Sequence, residues 1–186
     1  MKTAKAVRND KRVPVLYLDL DGTVRKGKDE LGRFVNKADD VELFPRMAER
    51  LLSWKQRGWR IVAVSNQGGI ATGQVSFEDV AAAINRTYEL SGGIFDLMYF
   101  CQHHPDAHDP EWQVCFCRKP KIGMLVMAAT ELGNRHHGEL YPPHISLMVG
   151  DRDEDRLCAE NAGVPFQWAK EWREEQFTIE LTQDAH

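Results

Sequence analysis

Short apolar runs alternate along the chain with polar stretches, and the apolar runs end repeatedly in acids or hydroxyls. Residues 13–18 predict a first buried strand, continuous in apolar character as strands of a parallel sheet are. A polar, charge-rich loop over 24–43 follows, ending near Phe44-Pro45. Pro45 suits the first turn of a helix, Met47, Leu51, Leu52 and Trp54 follow at roughly helical spacing, and Gly58 can end that helix before a strand at 60–65. Ser76-Phe77-Glu78-Asp79 reads as a helix start with an acid three residues after the cap, leading into Val80, Ala83, Ile84 and Tyr88. Further along, 94–100 predicts a strand, 124–132 a helix, 145–149 a strand, 154–162 a helix and 165–168 a last short strand. Strands alternating with helices imply parallel crossovers and a three-layer α/β domain. Residues 171–186 are charged and are expected to fray.

At 186 residues the chain is expected to form one domain over 1–186, with a core of about 13–168. A formal net charge of −4 gives no global basic field, which argues against non-specific nucleic-acid binding. The basic residues among 1–12 read as a solvated lead-in. They do not make a signal peptide, because no apolar stretch of sufficient length precedes Asp19. No run approaches a membrane span. The four cysteines are therefore read as ligands or packing residues in a reducing cytoplasm, and the protein as a monomer.

The chemistry concentrates at strand ends. Asp19-Leu20-Asp21-Gly22-Thr23 follows the first strand, with two carboxylates two residues apart and a glycine turn that lets both face one cavity. Two like charges so placed call for a cation between them. Ser65-Asn66-Gln67-Gly68-Gly69 ends the strand at 60–65, Cys117-Arg118-Lys119-Pro120 lies in a loop, and Gly150-Asp151-Arg152-Asp153-Glu154-Asp155 ends the strand at 145–149. In an open parallel sheet, ligands bind outside the carboxyl ends of the strands, so these segments can converge on one crevice.

Their order and content resemble the haloacid dehalogenase superfamily of phosphohydrolases, whose motifs are an Asp-x-Asp, a Ser or Thr, a Lys and a late acidic cluster. Within that superfamily, the wording of 65–70, 101–105, 115–120 and 150–152 resembles more closely the heptose-1,7-bisphosphate phosphatase and histidinol-phosphate phosphatase families. The resemblance implies a Rossmann-like core, a central parallel sheet flanked by helices. The gaps after the first two motifs are too small for a cap domain. It implies a magnesium-dependent phosphomonoester hydrolase acting on a small phosphorylated metabolite, foremost a sugar bisphosphate. Histidinol phosphate and a polynucleotide 3′-phosphate stand as alternatives.

Residue by residue, the resemblance makes Asp19 the nucleophile and Asp21 the general acid and base. Magnesium would be held by Asp19, Asp151 and the backbone carbonyl of Asp21. Ser65 and Lys119 would hold the phosphoryl group, with Gly22, Thr23, Asn66 and Gln67 around it and Arg118 reading the rest of the substrate. Arg118 is alternatively a surface ion-pair residue. Asp155 is open between holding Lys119, holding a metal-bound water, and starting a helix. Cys101, His103, Cys115 and Cys117 form a Cys3His set, the composition of a closed structural zinc site, and the heptose family carries such a loop. That loop, 101–117, would fix the base of Arg118-Lys119. His104 and His108 read as solvated and Cys158 as a core residue. Trp112, Trp168 and Trp172 would be stacking platforms only if the substrate were a nucleic acid.

Overall fold

A computed structural model describes residues 11–27 and 35–175. Parts of the expected lead-in (1–10), of the expected loop (28–34) and of the expected charged tail (176–186) lie outside the described residues. Among the described residues, nine strands and five α-helices follow one another: β1 Lys11–Arg12, β2 Val15–Leu18, β3 Arg25–Gly27, β4 Val41–Leu43, α1 Met47–Gln56, β5 Arg60–Asn66, α2 Phe77–Leu90, β6 Leu97–Cys101, α3 Gly123–Arg135, β7 Glu139–Leu140, β8 Leu147–Gly150, α4 Asp153–Ala162, β9 Phe166–Trp168 and α5 Ala169–Glu174. Five of the strands form one parallel sheet in the order β6-β5-β2-β8-β9.

The side-chain alternation of a strand explains the three layers. In β2, Val15 and Tyr17 face a core built with α3 and α4, including Met124, Leu132 and Cys158. Leu16 and Leu18 face the opposite core with α1, α2 and α5, including Leu51, Ile84 and Trp172. Both faces are covered, so all four β2 residues are buried. The order of the sheet reverses direction between β2 and β8. That switch point is where ligands sit in open α/β sheets, and it puts the ends carrying Asp19 and Asp151 side by side.

Local signals act as expected in several places. Ser76 caps α2, its Oγ accepting from the Asp79 N–H at 3.0 Å. Gly58, with φ +84°, follows the end of α1. Cys158 is fully buried.

Three expectations need correction. The stretch 24–43 is not simply a loop, because β3 and β4 pair antiparallel with Arg25 opposite Leu43 and Gly27 opposite Val41. Pro45 is not in the first turn of α1; the left-handed Arg46 intervenes, and the helix begins at Met47. The segment after 168 is not frayed throughout. It forms α5, and Trp172 is fully buried because its indole fills the core beside Trp54 and under Arg50. At the other end, Lys11 and Arg12 are exposed, as expected, while their backbones pair with Glu139 and Leu140.

Candidate active site

The ends of β2, β5 and β8, with the loop before α3, open onto one cleft of about 590 Å³. Asp19 continues β2 by one residue, its N–H donating to the Val149 carbonyl at 3.0 Å, and its side chain is buried beneath the cleft. Lys119 meets it there. Its ammonium donates to Asp19 Oδ1 at 2.6 Å, to Asp155 Oδ1 at 2.6 Å and to the Val64 carbonyl at 2.8 Å, so all three N–H groups are used.

Burial pushes the Asp19 carboxyl up to about 7, with Lys119 pulling the other way and Asp155 adding to the rise. Burial works against the Lys119 charge, yet Asp19 and Asp155 outweigh it and hold the ammonium above its ordinary value. One cation thus stands between two buried acids, and the remaining negative charge faces the cleft.

Asp155 resolves two of its three readings at once. While Oδ1 takes Lys119, Oδ2 accepts from the backbone N–H groups of Asp151 and Arg152 at 3.2 and 3.1 Å, at the start of α4. Such close approach requires Gly150, where a Cβ would lie 2.3 Å from that of Asp155. Gly22 serves the neighbouring carboxylate in the same way: its φ is +85°, and a Cβ would stand 2.1 Å from Asp151 Oδ2. The donor atoms of Asp19, Asp151 and Asp155 lie within 4.8 Å of one another, a set of hard oxygens able to hold a cation such as magnesium. Asp21 contributes no side-chain oxygen to that group.

Asp21 instead turns its carboxylate sideways. Oδ1 accepts from Arg25 Nε at 2.7 Å, and Oδ2 from Gln67 Nε2 at 2.8 Å. The same Gln67 amide lies 2.8 Å from Ser65 Oγ, which is buried at the end of β5. Thr23 is fully buried, its hydroxyl turned toward Asp19 Oδ2 at 3.4 Å. Gly22 and Thr23 present their carbonyls to Arg173 Nη1 at 2.7 and 3.0 Å, so α5 secures the turn from behind. Asn66 lies at the cleft, but its carboxamide is spent on the backbone of Lys119.

Arg118 lines the cleft, with Nη1 donating to the His103 carbonyl at 3.1 Å. His104, expected to be solvated, is one wall of the same cleft. A Cβ at Gly68 would come within 2.8 Å of the Arg118 guanidinium and 2.7 Å of the His104 ring, which explains a glycine on the facing loop.

Below that rim the four expected ligands converge. Cys101 Sγ lies 3.7 Å from Cys115 Sγ and 3.1 Å from Cys117 Sγ, and His103 Nδ1 is 3.5 Å from both Cys101 and Cys117. Ligand edges of this length match a tetrahedron with metal–sulfur bonds of about 2.3 Å. Burial opposes ionisation of Cys115, but the Arg118 N–H, donating at 3.3 Å, and the Cys117 thiol help draw it below its ordinary value. The four residues form a donor set able to hold a metal ion.

Among the described residues, no tryptophan lines the cleft. Trp172 is core, Trp168 packs edge-on against Phe166, and Trp112 lies near the His103 ring, so the three do not form a stacking surface.

An aspartate pair, a lysine held between acids and a carboxylate cluster meet at the switch point of a parallel sheet, the arrangement that the resemblance to the haloacid dehalogenase phosphohydrolases implies. The family model described as polynucleotide kinase 3 phosphatase matches residues 14–172. The heptose-1,7-bisphosphate 7-phosphatase of Escherichia coli K12 is 34% identical over 158 residues, covering 83% of this chain and 77% of that one. The Haemophilus ducreyi enzyme of the same name is 33% identical, covering 80% and 78%. Among solved structures, the D,D-heptose 1,7-bisphosphate phosphatase of B. bronchiseptica, complexed with magnesium and phosphate, shares the fold at TM-score 0.66 and 24% identity, covering 83% of this chain and 79% of that one. The chain belongs to the haloacid dehalogenase phosphatases, in the group of the heptose-1,7-bisphosphate 7-phosphatases. Among the described residues, no helix is long and apolar enough to cross a membrane.

Proposed function

We propose that this phosphatase removes one phosphate from a sugar bisphosphate, with magnesium in the cleft and zinc in the 101–117 loop. The observation that carries the reading is Lys119, held between Asp19 and Asp155 beneath a cleft whose rim carries Arg118. Lys119 is a charge for the transferring phosphoryl group; Arg118 is a fork for a second anionic group. The names of the relatives support the same substrate class. The polynucleotide alternative lacks its stacking surface, and histidinol phosphate has no second phosphate for Arg118.

In the reaction, an Asp19 oxygen attacks phosphorus and the bond to the leaving oxygen breaks, leaving an acyl phosphate on Asp19. Asp21 gives the leaving alkoxide its proton. Asp21 then takes a proton from water as that water attacks phosphorus, which releases phosphate and restores Asp19. Ser65 donates to a phosphoryl oxygen, and Lys119, whose three N–H groups are already taken, acts on the group as a point charge. Magnesium, held by Asp19, Asp151 and the Asp21 carbonyl, would neutralise charge on the phosphoryl group. Zinc on Cys101, His103, Cys115 and Cys117 would stiffen the segment that presents Arg118 and Lys119. Thiol ligands and unpaired cysteines suit a reducing cytoplasm.

The test is turnover of heptose 1,7-bisphosphate, histidinol phosphate and a 3′-phosphorylated oligonucleotide, with acid-quench trapping of phosphoprotein. The sugar bisphosphate is expected to lead in kcat/KM by at least about tenfold, and Asp19→Asn to abolish both turnover and trapping. A leading oligonucleotide or histidinol phosphate would overturn the substrate reading. Turnover in Asp19→Asn above about a hundredth of wild type would overturn the covalent step.

A further inference from the structure

Arg25 is fully buried, although it sits on a short hairpin strand close to the site. Its guanidinium spans two parts of the molecule. Nε donates to Asp21 Oδ1 at 2.7 Å, while Nη1 donates to the Ala83 carbonyl at 3.0 Å and to Thr87 Oγ1 at 2.9 Å, both on α2. Thr87 is itself fixed, its hydroxyl donating to the Ala83 carbonyl at 2.8 Å. The backbone of Arg25 joins in, its carbonyl accepting from the Gly22 N–H at 2.9 Å. The turn bearing Asp21 is therefore tied from two sides to a residue anchored in α2.

Burying a guanidinium is costly, and an apolar side chain of similar length could fill the same space. The fork geometry offers something that filling does not. A guanidinium has only donors and keeps its charge, so Asp21 Oδ1 is permanently an acceptor. Oδ2 accepts only from the neutral Gln67 Nε2–H and keeps a second lone pair, so a proton on Asp21 favours Oδ2 over the oxygen paired with the charged guanidinium.

We infer that Arg25 is a positioning residue for proton transfer by Asp21: it ties the carboxylate to α2 and directs the exchangeable oxygen, Oδ2, to the bound phosphoryl group. The inference rests on the acid–base role proposed for Asp21. Arg25 itself touches no substrate.

Leaving-group chemistry tests this and separates it from a packing role. The ratio kcat/KM reports on steps up to the phosphoenzyme. Nitrophenolate leaves without a proton, so p-nitrophenyl phosphate does not need the acid in that step, whereas an alkyl phosphate such as glycerol 1-phosphate does. Arg25→Met keeps the volume and removes the fork. It is expected to lower kcat/KM for glycerol 1-phosphate by about 10- to 100-fold and to lose far less on p-nitrophenyl phosphate. Phosphoenzyme should accumulate with the latter, because water activation also needs Asp21. Thr87→Val removes one anchor of Arg25 without touching Asp21. It should move the ratio of the two substrates the same way by about threefold, and it serves the test if Arg25→Met does not fold. Asp21→Asn is the reference. If Asp21→Asn shows no alkyl-selective loss, the acid–base reading itself falls. If it shows that loss while both other variants leave the ratio unchanged, or lower both substrates equally, the positioning role of Arg25 is overturned.

Discussion

Asn66 holds Lys119 by its backbone, not by its charge. Asn66 Nδ2 donates to the Lys119 carbonyl at 3.0 Å, and the Lys119 N–H donates to Asn66 Oδ1 at 2.9 Å. This closed pair joins the end of β5 to a loop residue 53 positions later, and so sets where the ammonium meets Asp19. The asparagine after Ser65 thus positions the lysine proposed to face the phosphoryl group.

Asn66→Asp keeps the acceptor for the Lys119 N–H and loses the donor to its carbonyl. Losing one such hydrogen bond, about 1 to 2 kcal/mol, should lower kcat on p-nitrophenyl phosphate by about 5- to 30-fold. Steady-state kinetics checks this, with Tm measured alongside to show that the fold is retained. An unchanged kcat would mean that Lys119 is held adequately by Asp19, Asp155 and Val64 alone.

Gly22→Ala forces a Cβ into the space of Asp151 Oδ2 at a backbone angle that disfavours side chains. The backbone strain should cost about 1 kcal/mol or more of stability. The displaced carboxylate should also raise the magnesium concentration needed for half-maximal activity. Denaturant titration and a magnesium titration of activity read the two effects separately; wild-type magnesium dependence would show that Asp151 is not a ligand.

Protein purified without chelator should carry one zinc, measured by elemental analysis, and Cys117→Ser should lose it. Structural zinc in small modules supplies an apparent ~10 kcal/mol or more, so stripping it should lower Tm clearly. Activity should fall with it, since Arg118 and Lys119 follow the last ligand directly. Zinc-free protein with intact Cys101, Cys115 and Cys117 would refute the site.

Arg118→Ala should lower kcat/KM on a sugar bisphosphate by about 10- to 100-fold, or about 1.4 to 2.8 kcal/mol, and on p-nitrophenyl phosphate by much less. Equal losses would place Arg118 on the transferring phosphoryl group or in loop support, and would remove the reason for preferring a second phosphate.

By itself the sequence determined the layout of the candidate site wherever the information is local. Asp19, Asp21, Ser65 and Asp151 stand at or just past the ends of apolar strands, and a parallel sheet brings such ends to one edge whatever the loops do. The Cys3His set was legible for a similar reason, its ligands occurring as two short-spaced pairs within seventeen residues.

Tertiary structure alone decided what depends on distant partners. Arg25 reads as a surface residue until β3 folds against α2 and its acceptors at 83 and 87 arrive some sixty positions later. Asp155 could start a helix or hold a lysine on sequence grounds, and only the approach of Lys119 over Gly150 lets one carboxylate do both. Trp172 sits in a charged segment that looks solvated, yet it is core because α5 packs back over α1. Strand and helix patterns are written in neighbours, so sequence order carries them. Contacts between groups far apart in the chain exist only once the layers have packed, and in this protein those contacts orient Asp21, Lys119 and the turn around them.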